Sequence, residues 1–424
     1  MFAPSSIRHL IVPMFAAAAC AALPAQARDI IAQPVINFDK AAYEARLHKA
    51  FDNTVMGYQA LLVKDGQLVS SVTGGLARNR ADGYMNMTMH TPANVGSTIK
   101  FTSGVAVLQL FESKDPVINP KGLTVDQWLD SSIYPFLPDV WKQASHESIK
   151  SMTFRQLLQH KSGFRALGGG DLGEDGAKRM SDYLIKGVLP ANVGKRDYEN
   201  ANISVLTYLI PMIADPSLRI QVSKEALINK WTPEGQEIHL RVALAWEKYI
   251  QAKVYSQLTP AIKPSCNPTV DYPALNRKWA LEYVNRLDAA KGVTRDSRVN
   301  NKGYCQGQGG WYISGYELAA FVANFDNAIK PLVSAPTRAK MYIDSKADDM
   351  LLWSFTLPDN QFGAKFGTYN VPYMGGDHGN SHATIVKLPG GYYGVGIINS
   401  GDYGSGSTSA GIIRAFKTGI GMPE

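Results

Sequence analysis

Ser97 and Lys100 stand three residues apart in "NVGSTIKFTSGVAVLQLF" (Asn94 to Phe111), a run that is otherwise largely apolar. On a helix, residues i and i+3 project from one face with Cβ atoms about 5 to 6 Å apart, so this hydroxyl and amine can touch. A serine hydroxyl is a poor nucleophile until something takes its proton, and a lysine desolvated by apolar neighbours can serve as that base. The start of the helix adds positive potential near Ser97, which favours an oxyanion forming there. The plain alternative is a lysine that snorkels out of the helix to meet a carboxylate. Burying an ammonium without a partner or a chemical task is expensive, and that cost singles out Lys100.

Elements that could position the pair are legible on both sides of it. Tyr43, Leu47 and Phe51 recur at helical spacing, predicting a helix from about Asp39 to Asp52. "YQALLVKDGQLVSSV" reads as a β-hairpin turning at Lys64-Asp65-Gly66, and "ATIVKLPGGYYGVGII" repeats the pattern around Gly390-Gly391. "SGSTSAGIIRAFKTGI" follows as a closing helix. Strands near both ends with helices between them predict an α+β fold. Its antiparallel sheet is built from N- and C-terminal strands flanked by helices, and the middle forms a mostly helical subdomain. Within that middle, Thr153 and Gln156 of "TFRQLLQHKSGF" are spaced as a capping box, with Gly163 as a stop. Two longer helices are expected at about 237–258 and 274–290, separated by the Pro-rich "TPAIKPSCNPTVDYP". The stretch 215–304 reads as a helical insertion that either shapes a pocket or stabilises the subdomain.

Residues 1–27 carry Arg8, an apolar run from Leu10 to Leu23, and Ala25-Gln26-Ala27, the form of a cleavable secretory leader. The expected mature chain, 28–424, is therefore periplasmic or secreted, with lipid attachment at Cys20 a second option. Without the leader, 42 basic residues face 36 acidic ones, a formal charge of +6. No dense Lys/Arg run suggests nucleic-acid binding, and no later segment suits a stable membrane span. Cys266 and Cys305 are then the two remaining cysteines, and an oxidising compartment permits one disulfide between them if their geometry allows. At 45% hydrophobic residues the chain is ordinary globular material.

From about Tyr58 onward the sequence resembles the serine β-lactamase-like superfamily: class C β-lactamases, D-alanyl-D-alanine carboxypeptidases, D-aminopeptidases and related esterases. The segments carrying the resemblance run in order as "LLVKDGQLVSSVTGGLA", "VGSTIKFTSGVAVLQL", "MTFRQLLQHKSGF", "RDYENANISVLTYLI", "GQGGWYISGYELAAFV" and "HGNSHATIVKLPGGYYGVGIINSG". In that family the serine is acylated and the lysine helps move its proton. The family's Tyr-x-Asn motif is matched by Tyr198-Glu199-Asn200. A phenol near an ammonium ionises more easily, so Tyr198 could relay protons, and Asn200 can offer an amide to a substrate carbonyl.

The family's third motif, Lys-Thr-Gly or His-x-Gly, has two candidate registers here. His378-Gly379-Asn380 supplies a histidine but lacks the final glycine, whereas Met374-Gly375-Gly376 supplies no cation. A polar donor facing the cleft has a chemical use, which favours His378 and Gly379 as substrate-binding residues. A metal site from His378, His382 and Asp377 is disfavoured, because such histidine spacing suits a helix and Gly379-Asn380 do not. "GNSHA" as a nucleophile elbow fails for want of a following helix and a later histidine. The expectation is an exported serine hydrolase forming an acyl-enzyme on an ester, an amide or a D-residue peptide, with no metal or organic cofactor. Its partner would be a small-molecule or peptide substrate. A catalytically idle binder of peptide or peptidoglycan fragments is the first alternative, and a true β-lactamase the second.

Overall fold

The computed structural model describes residues 36–164, 176–233, 235–294, 305–325, 331–341, 350–353, 355–366 and 370–423; the leader assigned to 1–27 lies outside them. Helix α1 (Lys40–Phe51) begins where the Asp39 carboxylate accepts the Ala42 N–H at 2.9 Å. It buries Tyr43, Leu47 and Phe51, as their spacing predicts. The chain then turns extended. Strands β1 (Gly57–Lys64) and β2 (Gln67–Arg78) are joined through Asp65 at φ 48° and Gly66 at φ 77°. Two successive left-handed residues match the right-handed twist of the flanking strands, which is why Asp-Gly serves at this turn.

Two short strands follow, β3 (Met85–Asn86) and β4 (Ala93–Asn94), then helix α2 (Lys100–Phe111). Every residue of α2 except Gln109 is buried, so this is a central helix with no solvent face. Burying Val105, Val107, Leu108, Leu110 and Phe111 contributes on the order of 1.5–3 kcal/mol for each large side chain. That sum can carry the several kcal/mol that one desolvated lysine costs.

Helix α3 (Phe154–Leu158) opens with the expected capping box: Thr153 Oγ1 accepts the Gln156 N–H, and Gln156 Oε1 accepts the Thr153 N–H. It ends at Leu158, short of Gly163, whose φ of +77° serves a later turn. Helices α4 (Asn200–Ala214), α5 (Pro216–Ile228) and α6 (Gln236–Lys253) complete the helical layer. Among the described residues no single helix is long and apolar enough to cross a membrane.

The helix expected at 274–290 does not form. A short helix α7 (Pro268–Ala274) stops before Asn276, which sits at φ 50°. Beyond it the backbone donors find other acceptors: Ala280 N–H goes to Pro92 O, Leu281 to Ala77 O, Glu282 to Val293 O and Tyr283 to Asn399 O. Asn285 and Asp288 spend their side chains on the local N–H groups of Leu287 and Ala290, a competition that disfavours helix. Cys266 and Cys305 form a disulfide across Cα atoms 5.4 Å apart.

After β5 (Tyr312–Ile313), which pairs with β4, helix α8 (Gly315–Phe325) packs on β1. Strands β6 (Phe355–Pro358), β7 (Asn370–His378), β8 (Ser381–Lys387) and β9 (Tyr392–Ile398) lead to helix α9 (Ser405–Gly419). The seven-stranded sheet has the order β3-β2-β1-β9-β8-β7-β6, with antiparallel pairings throughout. Tyr58 therefore lies opposite Ile398, and the first strands close against the last. Strand alternation divides the core. Tyr58, Ala60 and Leu62 point toward α1 and α9, whereas Leu61 and Val63 point toward α2 and the helical layer. Residues Ile36–Glu424 form one compact unit.

Candidate active site

Ser97 lies in the tight turn Gly96–Ile99 that leads directly into α2. The turn demands Gly96, at φ +48°, and it leaves Ser97 partly exposed above a buried lysine. Lys100 is 1% exposed. Its Nζ donates to Ser97 Oγ at 2.5 Å and to the carbonyl of Gln308 at 2.7 Å. The same Nζ stands 5.1 Å from the centroid of the Tyr198 ring. The three side chains named first from sequence thus converge on one point.

Gln308 is held in place by its neighbours. Gly307 N–H donates to Thr207 on α4, and Gly307 O accepts Ser103 Oγ from α2 at 2.6 Å. The indole of Trp311 donates to Gln306 O, and the disulfided Cys305 precedes the segment. Lys100 therefore meets a carbonyl fixed from several sides.

Tyr198 is braced by a residue that sequence reasoning passed over. The His160 ring stacks on it with centroids 4.6 Å apart and planes at 26°. Burial, followed by the charges of Arg196 and Lys100, holds the His160 imidazole well below its usual range. His160 Nδ1 accepts the Glu199 N–H at 3.3 Å and faces the Asn202 amide at 3.2 Å. Both partners suit an unprotonated Nδ1, so the ring proton belongs on Nε2. His160 stood inside "LLQHKSGF", and its positive φ of 55° is the local oddity that marks it in the structure. Asn200 opens α4 two residues after Tyr198, and its carbonyl accepts Ser204 Oγ.

The two candidate triplets on β7 differ in what they bring to Ser97. A Cβ on Gly376 would collide with Val95 O and Thr98 N and lie 2.6 Å from Ser97 N. A Cβ on Gly96 would in turn meet the backbone of Gly376 and Asp377 at 3.0 to 3.1 Å. The two backbones touch, and the residue against Ser97 is Gly376. Of the two candidate triplets, Met374-Gly375-Gly376 is the one that brings a glycine against Ser97. His378 ends β7 opposite Ser381, and Gly379, at φ +61°, serves the two-residue turn to β8. The glycine at 379 meets a turn's backbone need, whereas the glycine at 376 permits the approach to the Ser97 backbone.

Asp377 follows on the opposite face of β7. Its carboxylate accepts His382 Nδ1 at 2.7 Å and both the N–H and the hydroxyl of Ser405, at 2.7 and 2.9 Å. Burial works to raise this carboxyl, but the bonds from His382 and Ser405 outweigh it and hold the group below the usual carboxylate range. The strand beside Ser97 is thereby tied from behind to the first turn of α9. Among the described residues one trio, Glu247, Cys266 and Cys305, is close enough to hold a metal ion, and its sulfurs are joined as the disulfide.

The β-lactamase family model matches residues 42–409. Among solved structures, the chain is similar to the octameric penicillin-binding protein homologue from Pyrococcus abyssi, with TM-score 0.61 and 17% identity over 90% of this chain and 77% of that one. It is similar to a class C β-lactamase from Rhodobacter sphaeroides, with TM-score 0.58 and 16% identity over 89% and 99%. A β-lactamase/D-alanine carboxypeptidase from Pseudomonas syringae gives TM-score 0.58 and 12% identity over 89% and 97%. At these identities the likeness concerns the fold. No curated protein sequence matches significantly.

Proposed function

The chain belongs to the β-lactamase family, and from that premise we propose that it is an exported serine hydrolase working through an acyl-enzyme. The observation that carries this reading is a lysine 1% exposed whose Nζ lies 2.5 Å from Ser97 Oγ, beside the Tyr198 ring. Held by Gln308 O and within hydrogen-bond reach of Ser97 Oγ, Lys100 Nζ stands where a general base for the Ser97 proton must stand. Ser97 Oγ then attacks the substrate carbonyl, and the C–O bond forms as the proton passes to Lys100. Tyr198 relays that proton to the leaving alcohol or amine as the scissile bond breaks. Water, deprotonated along the same route, later releases the acid and restores Ser97. The amides of Ser97 and Asp377, on the two touching backbones, would hold the oxyanion. Asn200 would orient the substrate.

The substrate class follows from β7. In the family's third motif a cation stands where Met374 falls here, and Met374 is 1% exposed in the core. An uncharged ester or amide suits that site better than a β-lactam or a peptide with a free carboxylate. His378, four residues further along β7, is a weaker candidate for a substrate contact. Screening against p-nitrophenyl esters, D-amino acid amides and nitrocefin tests the assignment, with ester or amide turnover exceeding nitrocefin turnover as the expected result. Ser97→Ala should abolish covalent labelling by a fluorophosphonate. Equal labelling of that variant removes Ser97 from the mechanism, and silence of the natural protein on all substrates and the probe favours an idle binder.

A further inference from the structure

We propose that Glu282, in the segment expected to be a helical insertion, is a positioning residue that holds the two halves of the oxyanion site in register. The inference rests on the acyl-enzyme reading for its catalytic consequence and on hydrogen bonds alone for the brace itself. Glu282 is 2% exposed. One carboxylate oxygen accepts the Asn94 side-chain amide at 3.4 Å, and the other accepts the Asn380 N–H at 3.1 Å. Asn94 uses its own Oδ1 to accept the Gly96 N–H at 3.0 Å, directly before Ser97. Asn380 is the second residue of the β7–β8 turn, three residues after Asp377. One buried carboxylate thus reaches the nucleophile turn through Asn94 and the strand carrying the second amide through Asn380.

The carboxylate is itself anchored by backbone. Leu281 N–H bonds to Ala77 O on β2, Glu282 exchanges two bonds with Val293, and Tyr283 N–H bonds to Asn399 O just past β9. A support fixed to the sheet can set the separation of two segments that approach each other from distant parts of the chain. The rate of an oxyanion-assisted step depends on donors already in place, and a displacement near 1 Å can cost on the order of 10²-fold. Ser381 Oγ, bonded to Asn94 O at 2.6 Å, links the same two elements and should keep them folded when Glu282 is altered.

Glu282→Gln is the discriminating change. An amide has one oxygen and one NH₂, so whichever way it turns, either Asn94 or Asn380 loses its acceptor at nearly constant volume. The full-length natural protein, Glu282→Gln and Glu282→Ala would be titrated with a fluorophosphonate, and amide hydrogen exchange followed over 94–100 and 374–382. At saturating probe the acylation rate should fall roughly tenfold in the glutamine variant and on the order of 10²-fold in the alanine variant. The half-saturating probe concentration should stay unchanged, and exchange should quicken in both segments while β1 and α9 stay protected. Natural acylation rates in both variants, exchange rising in one segment alone, or exchange rising throughout the fold would each overturn the proposal. If the natural protein takes no probe, the acyl-enzyme reading fails separately. The exchange then decides the brace: a joint rise supports it, and no change refutes it.

Discussion

Two contacts make the candidate site, and they are built in opposite ways. Ser97 meets Lys100 through a single turn of backbone, so three residues of spacing set the 2.5 Å approach. Ser97 meets Gly376 across some 280 residues of sequence: β7 pairs with β8, and β8 is tied to the nucleophile-turn segment by Thr98 Oγ1 donating to Ala383 O and Ser381 Oγ donating to Asn94 O. A local contact survives small errors elsewhere. The distant one shifts whenever that pairing slips, and a slip of one residue would turn a different face of β7 toward Ser97.

Breaking the local contact should do the most damage. Lys100→Met is expected to slow probe acylation on the order of 10³-fold or more, measured by stopped labelling, with the fold retained because a linear apolar side chain suits the core. The distant contact should yield less but follow the same sign. Gly376→Ala forces a methyl against the Val95, Ser97 and Thr98 backbone, and a cost on the order of 10²-fold in acylation follows if β7 shifts by about an ångström.

His160 gives a smaller effect, read in stability. Its folded-state proton affinity lies well below the ordinary value of 6.5, because the ring is buried and faces Arg196 and Lys100. Below that value the unfolded chain binds a proton that the folded chain refuses, so stability should fall as pH drops from 6.5 toward the folded titration. The slope for one proton is about 1.4 kcal/mol per pH unit. Urea unfolding between pH 7 and 5 measures it, and His160→Gln should flatten the dependence. The smallest change sharpens the register: His378→Ala should leave acylation within a few-fold of natural, whereas a loss matching Gly376→Ala would return His378 to the site.

The same division explains what could be read from residues alone. The Ser97–Lys100 pair, the Thr153–Gln156 capping box and the Asp65-Gly66 hairpin were legible because each depends on neighbours within a few positions. The closing of early strands on late ones was legible from matching hairpin patterns at both ends. The β7 register was not, because two glycine-bearing triplets fitted and only tertiary approach distinguishes a turn glycine from one pressed against Ser97. The helix expected at 274–290 failed for a related reason. Its apolar spacing was helical, but the carbonyls of Ala77 on β2 and Asn399 just past β9 supplied acceptors for Leu281 and Tyr283. His160 was passed over because nothing in "LLQHKSGF" places its ring under that of Tyr198.

The placement of β1 between β2 and β9 also bears on how the protein is made. Ser97 and Lys100 leave the ribosome well before β7, whose Gly376 lies against Ser97, and before β9, which closes the sheet. Pairing of such remote strands is slow relative to local hairpin and helix formation. A nascent chain that has not yet reached β7 would therefore present the Ser97 turn without the strand that packs against it.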